Sequence, residues 1–252
     1  MINNDLVNSP IERFRKDIEH LLAVSNYANE CKTLAWILKQ KKSTSDKAIV
    51  NLCNRIIDSQ ADQTVYNLLH VNLITAMEVY LKDKIFDEIK LKPKIIEVFL
   101  RKYSFNKKID VEDLLLGPYS FAERVLDEVV FHNLKKVDKI YRILFGINIA
   151  KFVDFKKLNS YIKIRHHIIH NNSMLNNGKI TINPACITHT CNFLIHFIES
   201  IDYFIKHNRK RKRSPDLIRK FSKGIVVSDE YVKASYAAHM SGVCPIMNYN
   251  KV

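Results

Sequence analysis

The 252-residue chain has only five glycines and six prolines. A β-sandwich or barrel needs turn residues roughly every ten positions, so this shortage argues against both. Abundant Leu, Ile, Lys and Glu favour an all-α fold instead. No run is long and uncharged enough to span a bilayer, and the opening MINNDLVNSPIERFRK lacks the apolar core of a secretory signal. The expectation is a soluble, cytoplasmic protein with no membrane partner. The five cysteines, Cys31, Cys53, Cys186, Cys191 and Cys244, are scattered and odd in number, which favours reduced thiols over a disulfide framework. There is no Walker loop, dinucleotide fingerprint, catalytic cysteine constellation or HExxH sequence. The single tryptophan, Trp36, has no stacking partner that the sequence identifies.

Positive charge is plentiful. Forty Lys and Arg against 26 Asp and Glu give a formal charge of +14, a surface property that points to polyanions. Nucleic acid is the commonest such partner, because each neutralised phosphate releases counterions. An anionic membrane face or simple solubility would also account for the charge.

SPIE at 9–12 offers Ser9 as cap, Pro10 in the first turn and Glu12 closing a capping box. Ile11, Phe14, Ile18, Leu21 and Leu22 then share one helical stripe. A second apolar segment over about 29–40 runs into the loop-like KQKKSTSDK, so residues 1–45 are expected to form a helical hairpin. Over 46–90 the pattern is helical again, with Val65, Leu68, Leu69, Asn72, Ala76, Val79 and Tyr80 as the expected stripe of a long central helix. Pro93 can open the next helix, Ser120 and Glu123 repeat the capping-box spacing, Gly146 suits a left-handed C-cap, and Asp154 can cap the helix that follows. NNSMLNNGKITINP reads as a loop with a short extended piece. Asn183 and Pro184 then open a final helix with Ile187, Cys191, Leu194, Ile195, Ile198 and Ile201 inward. The last forty residues lack steady periodicity. Three parts are expected: a hairpin over 1–45, a helical bundle over 46–207 and a basic extension over 208–252.

The segment YIKIRHHIIHNNS at 161–173 places one arginine and three histidines within six positions. At about 100° per residue, His166 and His170 lie one turn apart on the same face, whereas Arg165 and His170 are about 140° apart. An arginine and a histidine so displaced cannot easily grip one phosphate unless the helix ends nearby or a second copy of it is brought alongside, a geometry that suggests a two-fold dimer. The chemistry that suits the set is RNA transesterification. A neutral imidazole takes the 2′-hydroxyl proton, an imidazolium protonates the leaving oxygen, and arginine holds a fixed positive fork against the charge gathering on phosphorus. Histidines near a helix end are also ordinary surface residues.

IRHHIIHNNS resembles the signature of the HEPN superfamily of helical nucleases and nucleotide-binding proteins: Arg, a polar residue, three further positions, then His. Upstream, FHNLKKVDKIYRILFGI and LLHVNLITAMEVYLKDKIF are similar to segments that precede this motif in HEPN proteins of the RNase LS and abortive-infection type. The resemblance covers roughly 65–207. It implies an HEPN-like bundle, with Arg165 as the phosphate-binding arginine, His170 as the motif histidine, His166 at the intervening polar position and Asn171 in support. It also implies a metal-independent endoribonuclease whose two motifs face a shared cleft in a homodimer, with no cofactor, and a toxin or anti-phage effector restrained by a neutralising or regulatory protein. The alternative is a non-catalytic HEPN module that binds RNA or nucleotides or scaffolds a larger complex. HEPN proteins often carry a polar group near the motif from the helix that holds Glu78, so this residue is a candidate to orient Arg165; the plainer reading, an exposed or salt-bridged helix glutamate, is favoured. His167 points away from the pair.

The remaining motifs have plainer readings. Asp83, Asp87 and Glu88 beside Lys82 and Lys84 suggest a solvated helix face. CITHTC, with Cys186, His189, Cys191 and His196, raises a zinc site, but on one helix Cys191 lies about 140° from Cys186 and away from both histidines. Cysteines packed as small core residues fit better, and no metal is expected. Arg209, Lys210, Arg211, Lys212 and Arg213 could serve as a nuclear signal, a membrane-surface patch, a solvated helix end or an RNA-binding arm; beside a ribonuclease-like motif, RNA contact is favoured.

Overall fold

A computed structural model describes residues 9–40, 46–58, 61–92, 94–95, 98–99, 117–170, 174–175 and 178–208. The fold is all-α. Its helices are α1 (Pro10–Gln40), α2 (Lys47–Asp58), α3 (Ala61–Leu91), α4 (Gly117–Asp127), α5 (Leu134–Phe145), α6 (Phe155–His170) and α7 (Pro184–Asn208), with a 3₁₀ turn at Ile149–Lys151. Between α6 and α7, β1 (Met174–Leu175) pairs antiparallel with β2 (Gly178–Lys179), Met174 opposite Lys179. This is the short extended piece that the sequence suggests. No described helix is long and apolar enough to cross a membrane.

Local chemistry sets most helix ends. Glu12 Oε2 accepts from the Ser9 backbone N–H at 2.8 Å and from the Ser9 hydroxyl at 2.9 Å, which forms the carboxylate half of the expected capping box. Asn183 Oδ1 accepts from Cys186 N–H at 2.8 Å and opens α7. Gly146 ends α5 at φ 69°, and its N–H reaches the Arg142 carbonyl. That left-handed conformation strains any residue with a Cβ. The expected box at Ser120 and Glu123 does not start a helix, because α4 already begins at Gly117–Pro118. Proline supplies a preset first-turn φ there, and Ser120 falls inside the helix.

The N-terminal hairpin is also corrected. Residues 10–40 form one continuous helix. The polar stretch between its apolar halves contains neither glycine nor proline, so nothing obliges the backbone to turn.

Chain contacts define two compact units. Among the described residues, the first contains those up to Arg15, Thr75–Asn159 and those from Ile195; the second contains Lys16–Ile74 and Ser160–Leu194. The boundary therefore crosses α1, α3, α6 and α7 within their lengths. In the first unit, Met77, Leu81, Ile85, Val137, Tyr141 and Ile198 are fully enclosed, and the Tyr141 hydroxyl donates to the Leu81 carbonyl at 2.9 Å. In the second, Leu73, Ile74, Tyr161, Ile187 and Cys191 are equally enclosed. The expected stripe of α3 holds at Leu69, Ala76 and Tyr80, which are buried, but not at Leu68, Asn72 and Val79, which are exposed, while Leu73, Ile74 and Met77 are buried beside it.

The solvated-face reading of α3 is overturned at two positions. Lys84 and Glu88 are buried. Lys84 Nζ lies 2.9 Å from Asp202 and 3.6 Å from Glu88, while Lys206 reaches Asp202 at 2.7 Å and Lys92 reaches Glu88 at 3.5 Å. Alternating signs allow these charges to leave water, because each buried ion keeps an oppositely charged neighbour. Burial pushes the Asp202 carboxyl up, but the bonds from Lys206 and Lys84 outweigh it and hold the group below its ordinary value. Asp83 remains nearer the surface and accepts from Arg13 at 2.8 Å.

Candidate functional site

The motif lies on the second half of α6, in the second unit. Upstream, Asp154 Oδ1 accepts from Lys156 N–H at 2.9 Å and Lys157 N–H at 3.1 Å, the expected cap. Leu158, Tyr161, Ile162 and Ile164 then bury the inner side of the helix. Tyr161 is the anchor: its ring packs edge-on against Phe193 with centroids 5.2 Å apart, and His70 of α3 meets its backbone carbonyl through Nε2 at 3.1 Å.

His70 is fully enclosed, and desolvation lowers its imidazole to about 4, with the Tyr161 hydrogen bond partly opposing the shift. A neutral ring donating through Nε2–H to the carbonyl fits both facts. Its Nδ1 is shielded from solvent and has no hydrogen-bond partner among the described residues, so a second proton would enter a place without an acceptor. No motif in the sequence marks this residue. Its signal was a histidine stepping in register with Leu73, Ile74 and Met77 along an apolar helix.

One turn beyond Tyr161 the helix changes character. Arg165 is half-buried with its Nε shielded from solvent, whereas His166 and His170 are exposed. The rings of His166 and His170 lie 4.5 Å apart between centroids and are tilted by 47°. His167 stands edge-on to His166 with centroids 6.1 Å apart and is half-buried. The helix thus brings together the two imidazoles that the sequence paired, and Arg165 immediately precedes them. Two rings at this separation can address neighbouring atoms of one ribose–phosphate link, one as proton acceptor and the other as donor.

The other candidate residues have different surroundings. Glu78 belongs to the first unit, is mostly buried, and places Oε1 3.8 Å from Nδ1 of the exposed His132, in keeping with a salt-bridged helix glutamate. Asn171 and residues 209–213 lie outside the described residues. Cys186 and Cys191 are buried, and burial pushes the Cys191 thiol up to about 12. His196 on the same helix is exposed. The two cysteines are core residues, as small apolar side chains should be. Among the described residues no group of three or more His, Cys, Asp or Glu side chains could hold a metal ion.

No family model matches the chain, and no curated protein or solved structure matches it either.

Proposed function

We propose that the chain is a metal-independent endoribonuclease of HEPN type, acting as a homodimer on single-stranded or looped RNA. The observation that carries the reading is the pair of exposed imidazoles, 4.5 Å apart, on the last turn of a helix that is anchored upstream. In the proposed reaction one imidazole, assigned to His170 or His166, takes the 2′-hydroxyl proton as O2′ attacks phosphorus. The bond from phosphorus to O5′ breaks, and the other ring, as imidazolium, protonates O5′. The products are a 2′,3′-cyclic phosphate and a 5′-hydroxyl. Arg165 offsets the negative charge of the pentacoordinate phosphorus, from this protomer or from its two-fold mate. Asn171 supports the motif, and the 209–213 cluster holds the RNA backbone. An enzyme of this kind suits a cytoplasmic toxin or anti-phage effector held in check by a regulatory protein.

The test is RNA cleavage with excess chelator, combined with end-group analysis. His170→Ala should lower turnover by about 10²- to 10⁴-fold without unfolding the protein. Unchanged cleavage in that variant rejects the assignment. RNA binding without cleavage by the unaltered protein points to the non-catalytic module.

A further inference from the structure

The second half of α1 is built the wrong way round for a helix that belongs only to its own chain. Its enclosed positions include the small residues Ser25 and Ala35, at 2% and 3% exposure. The large apolar residues face outward: Val24 is 48% exposed, Tyr27 70%, Leu34 59% and Leu38 40%. These four, with the half-buried Cys31 between them, fall at 24, 27, 31, 34 and 38. Their steps are three, four, three and four residues, the spacing of the a and d positions of a coiled coil. Lys32 and Lys39 stay off this stripe, and Lys32 turns to Asp62 at 2.5 Å. Ile37, 41% exposed, flanks the stripe.

Together these side chains expose about 500 Å² of largely apolar surface, the size of the largest patch on an ordinary monomer. Doubled across a two-fold axis, the area comes to about 1,000 Å², the threshold for a specific protein–protein interface. A heptad stripe is complementary to another heptad stripe, and a second copy of this chain supplies one at equal concentration. We infer that the 24–38 stretch of α1 pairs with its own counterpart in a second copy, with Tyr27 and Leu34 as the central knobs. This surface is separate from the histidine pair on α6, and the inference does not rest on the nuclease reading.

Sedimentation velocity of the full chain at micromolar concentration tests it. The unaltered protein should sediment as a dimer where α1 is the sole contact, and as a larger assembly where the α6 motif pairs independently. Leu34→Lys and Tyr27→Lys should each weaken self-association at least about tenfold, as loss of a central interface residue does. Trp36→Lys is the internal control: Trp36 is 57% exposed on the same helix but lies about 180° around it from Tyr27, and its variant should assemble as the unaltered protein does. Far-UV circular dichroism and denaturation curves matching the unaltered protein show that the lysine variants are folded; Leu38→Lys, near the helix end, provides a second disruption at less risk to the fold. A monomeric unaltered protein overturns the inference, as does a folded Leu34→Lys or Leu38→Lys protein whose assembly matches that of the unaltered protein. Equal weakening by Trp36→Lys overturns it too.

Discussion

The buried imidazole of His70 should leave a measurable mark on the acid stability of the protein. In the unfolded chain it titrates near the ordinary 6.5, and in the fold near 4. A group whose folded pKa is depressed in this way binds its proton more readily when unfolded. Above pH 6.5 both states hold it neutral and the effect is absent. As pH falls from 6.5 toward 4 the unfolded state takes up a proton that the folded state refuses, and stability declines; below 4 both states are protonated and the decline from this group ends. At about 1.4 kcal/mol per pKa unit, the full loss is about 3 kcal/mol. The assay is urea unfolding at intervals from pH 7.5 to 4.0, comparing the unaltered protein with His70→Leu. At pH 7.5 the variant should be less stable by about 1 kcal/mol, for the lost bond to the Tyr161 carbonyl. Its curve should then be flatter than the wild-type curve by about 3 kcal/mol over the acid range. Parallel curves between pH 7 and 4.5 would refute the reasoning, because they would mean that the ring is solvated or already paired at Nδ1.

Two substitutions probe other parts of the fold. Lys84→Met should destabilise the protein by about 3 kcal/mol, since it leaves Glu88 and Asp202 buried with only the outer lysines as partners; thermal or urea unfolding reads this, and a loss below about 1 kcal/mol would show that Lys92 and Lys206 suffice. Gly146→Ala should cost about 1 kcal/mol in the same measurement. A Cβ there meets nothing within 4 Å, so backbone strain at positive φ is the whole effect, and a neutral result would exclude the left-handed cap.

What could be read from the sequence is what local chemistry decides. Ser9 with Glu12, Asp154, Asn183 and Gly146 act within a few residues of themselves, and each caps the helix end expected of it. The motif pair was legible for the same reason: positions 166 and 170 meet on any α-helix, whatever surrounds it. The stripe of α3 was legible only in part, at Leu69, Ala76 and Tyr80. That helix is apolar on nearly every side, so no single stripe dominates, and tertiary neighbours choose Leu73, Ile74 and Met77 over Leu68 and Val79. Lys84 and Glu88 looked solvated because charges usually are. The carboxylate that allows Lys84 to be buried, Asp202, comes from α7, and no local rule connects the two. Ser120 and Glu123 show the opposite failure: a valid local pattern displaced by a stronger one at Gly117–Pro118.

The same distinction bears on how α6 presents its motif. Three tethers on this helix lie before Arg165: the Asp154 cap at its start, the edge-on contact of Tyr161 with Phe193, and the His70 bond to the Tyr161 carbonyl. The exposed rings of His166 and His170 follow within nine residues of Tyr161. Upstream burial fixes the helix axis and its rotation, so the direction in which the last turn points is set without enclosing the imidazoles. Burial that deprives His70 of a proton in the acid range would do the same to a catalytic ring, because desolvation disfavours the charged form wherever it acts. A site that needs one imidazole neutral and another protonated near neutral pH therefore has reason to stand at an exposed helix end, one turn or more from the enclosed residues that hold it in place. Replacing His70 should accordingly alter the acid stability of the protein far more than the pH dependence of the cleavage proposed for the exposed pair.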